Sequence, residues 1–145
     1  MENTSTMEKR TAELEKPKAR AWMQQMELGS FTSAQIATHL TKINPDRRAL
    51  LDNLMTELFA KAPLIDRKWV KWGNAPGIHV SRPNASKPFV VLAVIPMVRR
   101  GIVVKARQQI QEDYVPNTDA QLRFEKVIES SEDFKPIIAQ CISVQ

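Results

Sequence analysis

The chain has 145 residues, 43% hydrophobic and 26% charged, with a net charge of +5 and a single cysteine. That length holds one domain with a real core, alone or with a small appendage. Cys141 and two distant histidines exclude an intramolecular disulfide and a tetrahedral zinc site, so a cytoplasmic setting is the default.

The first stretch, "MENTSTMEKRTAELEKPKAR", has no apolar core between its charges and reads as neither signal peptide nor anchor. The longest apolar run, "FVVLAVIPMV", is about half the length a membrane helix needs. No membrane partner is expected. Residues 1–15 offer almost nothing to bury and read as a disordered N-terminal segment. From Pro17 to Leu28, Ala19, Trp22, Met23 and Met26 recur at helical spacing, and Gly29 supplies a stop. A second helix opens at Thr32, which forms a capping box with Gln35, flanked by a Phe31–Ile36 staple. Its buried side is Ile36, Ala37 and Leu40, and it ends near Thr41. The third helix starts at "NPDRR": Asn44 caps, Pro45 takes the first helical position, and Asp46 meets the positive end of the dipole. Leu50, Leu51, Leu54, Met55, Leu58 and Phe59 give it one wide apolar face, and it stops before Pro63.

Two strand-like runs follow, "LIDRKWVKW" and "IHVSR", joined by the turn-forming "GNAPG" into a hairpin. Helix, helix, helix, strand, loop, strand is the order of a winged helix-turn-helix. Beyond it, "SKPFVVLAVI" reads as a buried strand or the first half of a buried helix. Residues 97–113 fit a helix with Val98, Ile102, Ala106 and Ile110 on one side. "PNTDAQLRFEKVIES" fits another, with Thr118 and Gln121 as a second capping box. The expected fold class is α+β, with a winged helix-turn-helix over residues 16–83. Residues 84–145 then form a mixed, mainly helical extension for dimerisation or partner binding.

Charge is segregated along the chain. Between Arg67 and Arg107 stand nine basic residues (Arg67, Lys68, Lys71, Arg82, Lys87, Arg99, Arg100, Lys105 and Arg107) and no acid. From residue 108 onward three basic residues face seven acidic ones. Such an imbalance favours an anionic partner on one face. Enzyme signatures are absent: no Gly-rich phosphate loop, no G-x-S-x-G, no H-E-x-x-H. His39 reads as a helix-end residue, His79 as an outward strand residue, and Cys141 as a small apolar side chain. Neither an enzyme nor a cofactor is expected.

In a helix-turn-helix the third helix enters the major groove. With its leucines facing the core, Asp46, Ala49, Asp52, Asn53 and Thr56 turn outward. Asn53 can pair with adenine, Thr56 or Ala49 can touch a thymine methyl, and Arg47 and Arg48 can reach phosphate or guanine. Asp46 and Asp52 oppose this, since carboxylates repel phosphate. Arg67, Lys68, Lys71, His79 and Arg82 would charge the wing for backbone contact. Trp69 and Trp72 admit a stacking role on single strands, although a core role suits a small domain better.

The segment "INPDRRALLDNLMTELFAKAPLIDRKWVKWGN", residues 43–74, resembles the CaiF/GrlA family of bacterial transcriptional regulators. The resemblance lies in the Ile-Asn before the third helix, the Arg-Arg-Ala at its start, and the basic strand running into Gly-Asn. It implies a winged helix-turn-helix transcription factor whose DNA-reading part is residues 43–82, with Arg47, Arg48, Arg67, Lys68 and Lys71 as contacts. The expected function is therefore a regulator that binds double-stranded DNA. A protein–protein adaptor or inhibitor on a winged-helix core, without DNA, is the alternative.

Overall fold

In the computed structural model, which describes residues 17–145 with side chains from residue 21 onward, the chain is a mixed helix and sheet protein. The expected disordered segment, residues 1–15, lies outside the described residues, as does the side chain of Ala19. Three helices come first: α1 (Pro17–Gln24), α2 (Ser33–Thr41) and α3 (Pro45–Lys61). The punctuation works as its chemistry dictates. Gln35 N–H donates to Thr32 Oγ1 at 3.1 Å while Thr32 N–H donates to Gln35 Oε1 at 2.9 Å. Asn44 Oδ1 accepts from Asp46 N–H at 2.8 Å, and Pro45 occupies the first turn. Ile36 and Leu40 of α2 are buried, but Ala37 is exposed. Leu51, Leu54, Met55, Leu58 and Phe59 of α3 are all buried.

Six strands form one antiparallel sheet in the order β1-β2-β3-β4-β6-β5. They are β1 (Asp66–Trp72), β2 (Ala75–Ser81), β3 (Val90–Met97), β4 (Gly101–Ala106), β5 (Val115–Pro116) and β6 (Phe124–Ile128). The short 3₁₀ turn Ser131–Asp133 then leads into α4 (Phe134–Val144). The helices bury one face of this sheet in a core that includes Trp22, Leu54, Trp69, Ile78, Val94, Val104 and Ile137.

Several expectations are corrected. The helix over 97–113 is instead β4 with loops, and the helix over "PNTDAQLRFEKVIES" is instead a loop and β6, so the second half holds more strand than helix. A spacing of four, as between Ile102 and Ala106, satisfies both a period of 3.6 and a period of two. The buried Val104 between them decides for the strand. In place of the Thr118–Gln121 box, Asn117 and Asp119 each accept a backbone N–H two residues on, at 2.6 and 2.9 Å. The hairpin loop also shrinks. Trp72 pairs with Ala75, so the connection is a two-residue turn, Gly73–Asn74, and not a five-residue loop. Residue 83 lies in the loop joining β2 to β3, which pair side by side, and the main core draws from both sides of it.

The outer edge of β1 is partly covered. After α1 the chain crosses it at Glu27, whose N–H donates to Arg67 O (3.2 Å) and whose carbonyl accepts from Trp69 N–H (2.9 Å). Gly29 completes this crossing with φ +62°, and a Cβ there would stand 2.4 Å from Trp69 O. Gly73 has a similar φ of +61° but open space around it. Gly73→Ala is therefore expected to cost about 1 kcal/mol of backbone strain. Gly29→Ala should cost clearly more, about 2 kcal/mol or above, because the clash is with backbone. Urea denaturation midpoints of the two variants check the order.

A basic end of the sheet as candidate nucleic-acid interface

The amino end of α3 rests on the turn between β3 and β4. Arg47 Nη1 donates to the Arg99 carbonyl at 3.2 Å. Its guanidinium lies so close over Gly101 that a Cβ there would stand 3.1 Å from Nε. Alongside, the last turn of α2 is fixed by His39 Nε2, which stands 2.7 Å from the Pro96 carbonyl and donates to it. A shallow groove opens between α2 and the β1–β2 turn, lined by residues including Phe31, Thr38, His39, Lys42, Asn74 and Pro76. Lys71 sits directly across from Pro76. Lys42, Arg47, Lys71, Arg99 and Arg100 thus gather at one end of the sheet. Arg100 is paired with Glu125 at 2.6 Å; the other four make no ion pair among the described residues.

Of the side chains expected to read bases, Asn53 and Thr56 are exposed on the outer face of α3. Asp52, counted against that reading, is instead turned inward, where its Oδ1 accepts from Trp22 Nε1 at 2.9 Å. Arg48 is half-buried, and its Nε is buried without a hydrogen-bond acceptor. Asp46 remains exposed on the first turn.

The basic residues of the hairpin are not brought together. Arg67 is a structural latch: its guanidinium stacks 3.9 Å from the Phe59 ring and donates to Gln25 Oε1 and Pro63 O, each at 2.7 Å. Burial pulls its pKa below the ordinary value, against the pull of Asp66. Lys68 points to the face of the sheet away from the helices, opposite His79. Arg82 follows the far end of β2. Trp69 is fully in the core.

His79 is half-buried on the open face rather than free on a wing. Trp72 reaches over Gly77 to meet it, so close that a Cβ on Gly77 would stand 2.5 Å from Trp72 Cδ1. Trp72 Nε1 donates to His79 Nε2 at 2.9 Å, and Lys105 Nζ lies 4.8 Å from the Trp72 ring centroid. With Gly77 and Lys105 against it, the indole of Trp72 is a poor stacking platform. Beneath it Ala93, Ile95, Val103 and Leu122 form a second small core.

Residue order marked the acid-free span, but no local signal placed Arg99 and Arg100 beside α3; that neighbourhood is made by tertiary contact. Among the described residues no cluster of three or more His, Cys, Asp or Glu could hold a metal ion, and no helix is long and apolar enough to cross a membrane. Burial pushes the Cys141 thiol up to about 12, so it is chemically quiet.

An indole N–H can only donate, so His79 Nε2 must be unprotonated to receive it. Burial, aided by Lys68 and opposed by Asp119, lowers the His79 pKa from 6.5. As pH falls through and below that value, the unfolded chain takes the proton first, and stability is lost. The protein should therefore be less stable at about pH 5 than at about pH 7, and His79→Gln should lose less over that window. Urea midpoints across the range measure both slopes. Comparison with protein-family models, curated proteins and solved structures finds no match for this chain.

Proposed function

We propose that the protein is a DNA-binding transcriptional regulator that grips the phosphate backbone with the basic end of its sheet. The observation carrying this reading is the seating of Arg47 on the β3–β4 turn, which joins the amino end of α3 to the acid-free span. Lys42 and Lys71 extend that surface across the groove, and none of Lys42, Arg47, Lys71 and Arg99 is neutralised by a carboxylate among the described residues. In this reading α2 and α3 act as a helix-turn-helix pair. The helix dipole adds partial positive charge at Asn44–Arg47, and Asn53 and Thr56 are the side chains free to meet base edges. The β1–β2 turn takes the place of a wing, set beside the helices instead of reaching beyond them. The resemblance of residues 43–74 to CaiF/GrlA regulators points the same way.

Four phosphate contacts should make log affinity for duplex DNA fall against log salt with a slope of about −3 to −4. Arg47→Glu and Arg99→Glu should each weaken binding to every duplex and flatten that slope by about one unit or more. Asn53→Ala should instead change the order of preference among sequences, by about 1–3 kcal/mol at the position it contacts. Filter binding over a salt series with a random and a selected duplex measures all three. Weak binding with a flat salt response, together with recovery of one stoichiometric protein partner free of nucleic acid, would establish the adaptor reading instead.

A further inference from the structure

A second unpaired basic surface lies at the opposite end of the sheet. Arg82 follows β2, Phe89 precedes β3, and Arg107 follows β4, so the three stand side by side at the ends of the central strands. Both guanidiniums lean on the one phenyl ring, Arg82 at 4.6 Å and Arg107 at 4.1 Å from its centroid. Arg107 is further fixed by its Nε, which donates to the Val90 carbonyl at 2.9 Å. Stacking on an aromatic orders a guanidinium without neutralising it. Lys87 is exposed in the loop between Arg82 and Phe89, and none of the three cations makes an ion pair among the described residues.

The two basic ends are about 20 Å apart, the length of the seven residues of β2 at about 3.3 Å each. Acids interrupt the way between them. Along the β1 edge, exposed Glu27 crosses the strand and exposed Asp66 begins it, while Arg67 is occupied with Phe59. On the other edge, exposed Glu112 and Asp113 lead into β5. A polyanion track along either edge of the sheet is thus interrupted.

We propose that Arg82, Lys87 and Arg107 form a second phosphate-backbone site, so that one molecule bridges two DNA duplexes. This rests on the duplex-binding reading of the first end. Like charges would hold a second duplex off the first end once it is occupied, whereas the far end, about 20 Å away, lies beyond the screening length of physiological salt.

The test uses the full chain, a duplex fixed on beads and a second labelled duplex in solution. The unmodified protein should retain the labelled duplex on the beads. Arg82→Glu/Arg107→Glu should bind a lone duplex within about twofold of the unmodified protein yet lose retention by about tenfold or more. Lys87→Glu, in an exposed loop where folding is not at stake, should lower retention about threefold. Single-duplex binding without retention by the unmodified protein overturns bridging and leaves the first reading intact. Unchanged retention by the double variant overturns it too, since the bridge would then come from self-association. A double variant as weak as Arg47→Glu on a lone duplex shows one continuous track and also overturns it. Absence of any duplex binding removes both readings together.

Discussion

The indole of Trp22 ties together the three elements on which the orientation of α3 depends. Its ring lies 6.0 Å from Trp69 on β1 and 6.4 Å from Phe59 near the end of α3, while its Nε1 donates to Asp52 in the middle of α3. An aromatic of this size removes a large apolar area from water, and its one polar atom is satisfied by the helix it packs against. With α3 held at its middle by Trp22, two arginines hold its ends. Arg67 clamps Phe59 and the carbonyl of Pro63 at the carboxyl end, and Arg47 rests on Gly101 at the amino end. The helix is thus contacted at its middle and at both ends, and its positive terminus lies at the end of the sheet where Lys42, Arg47, Lys71 and Arg99 gather.

The two faces of the sheet are closed by different means. One is covered by helices and gives the main core Trp69, Ile78, Val94 and Val104. The other carries a row that runs straight across the strands, Lys68, His79, Ala93, Lys105 and Glu125, beside an apolar row of Val70, Gly77, Ile95, Val103 and Val127. Among the described residues no helix lies over those apolar side chains; Trp72 and Leu122 pack against them instead. The small residues Gly77 and Ala93 leave the depth that the indole fills. Polar neighbours are the consequence: an indole laid over a strand must place its N–H somewhere, and His79 is the acceptor within reach. The neutral histidine is thus part of how this face is closed, and it couples folding to pH.

The helical half was legible because its signals are local. Thr32 with Gln35 and Asn44 with Pro45 act within a few residues, and the leucine spacing of α3 admits only one period. The β4 and β6 regions misled because Ile102 and Ala106 fit either period, and only packing of Val103 and Val104 on opposite faces separates them. Charged residues were harder still. Arg67 reads like its neighbours Lys68 and Lys71, yet Phe59 and two carbonyls make it a latch. Asp52 reads as an outward acid, yet Trp22 turns it inward. Conversely Arg99 and Arg100, lying far beyond the helices in the chain, stand beside Arg47. Side-chain fate along an edge strand depends on which elements pass over it, and residue order does not carry that.

The cations divide into those the fold uses and those it leaves alone. Lys126 is held by Asp113 and Asp133, which outweigh its burial and raise its pKa. Arg100 and Lys105 share Glu125, whose carboxyl is held below its ordinary range chiefly by the Arg100 hydrogen bond. These pairs join β4 to β6 and the 3₁₀ turn to the sheet, where partial burial spares them some screening. Lys42, Arg47, Lys71 and Arg99 at one end, and Arg82, Lys87 and Arg107 at the other, have no such partner among the described residues. Uncompensated like charge repels itself and lowers the stability of a compact state. Of the seven acids after residue 107, Asp113, Glu125 and Asp133 are already taken by Lys126, Arg100 and Lys105. The stability forgone at the two ends is intelligible if a polyanion from outside supplies the missing counter-charge.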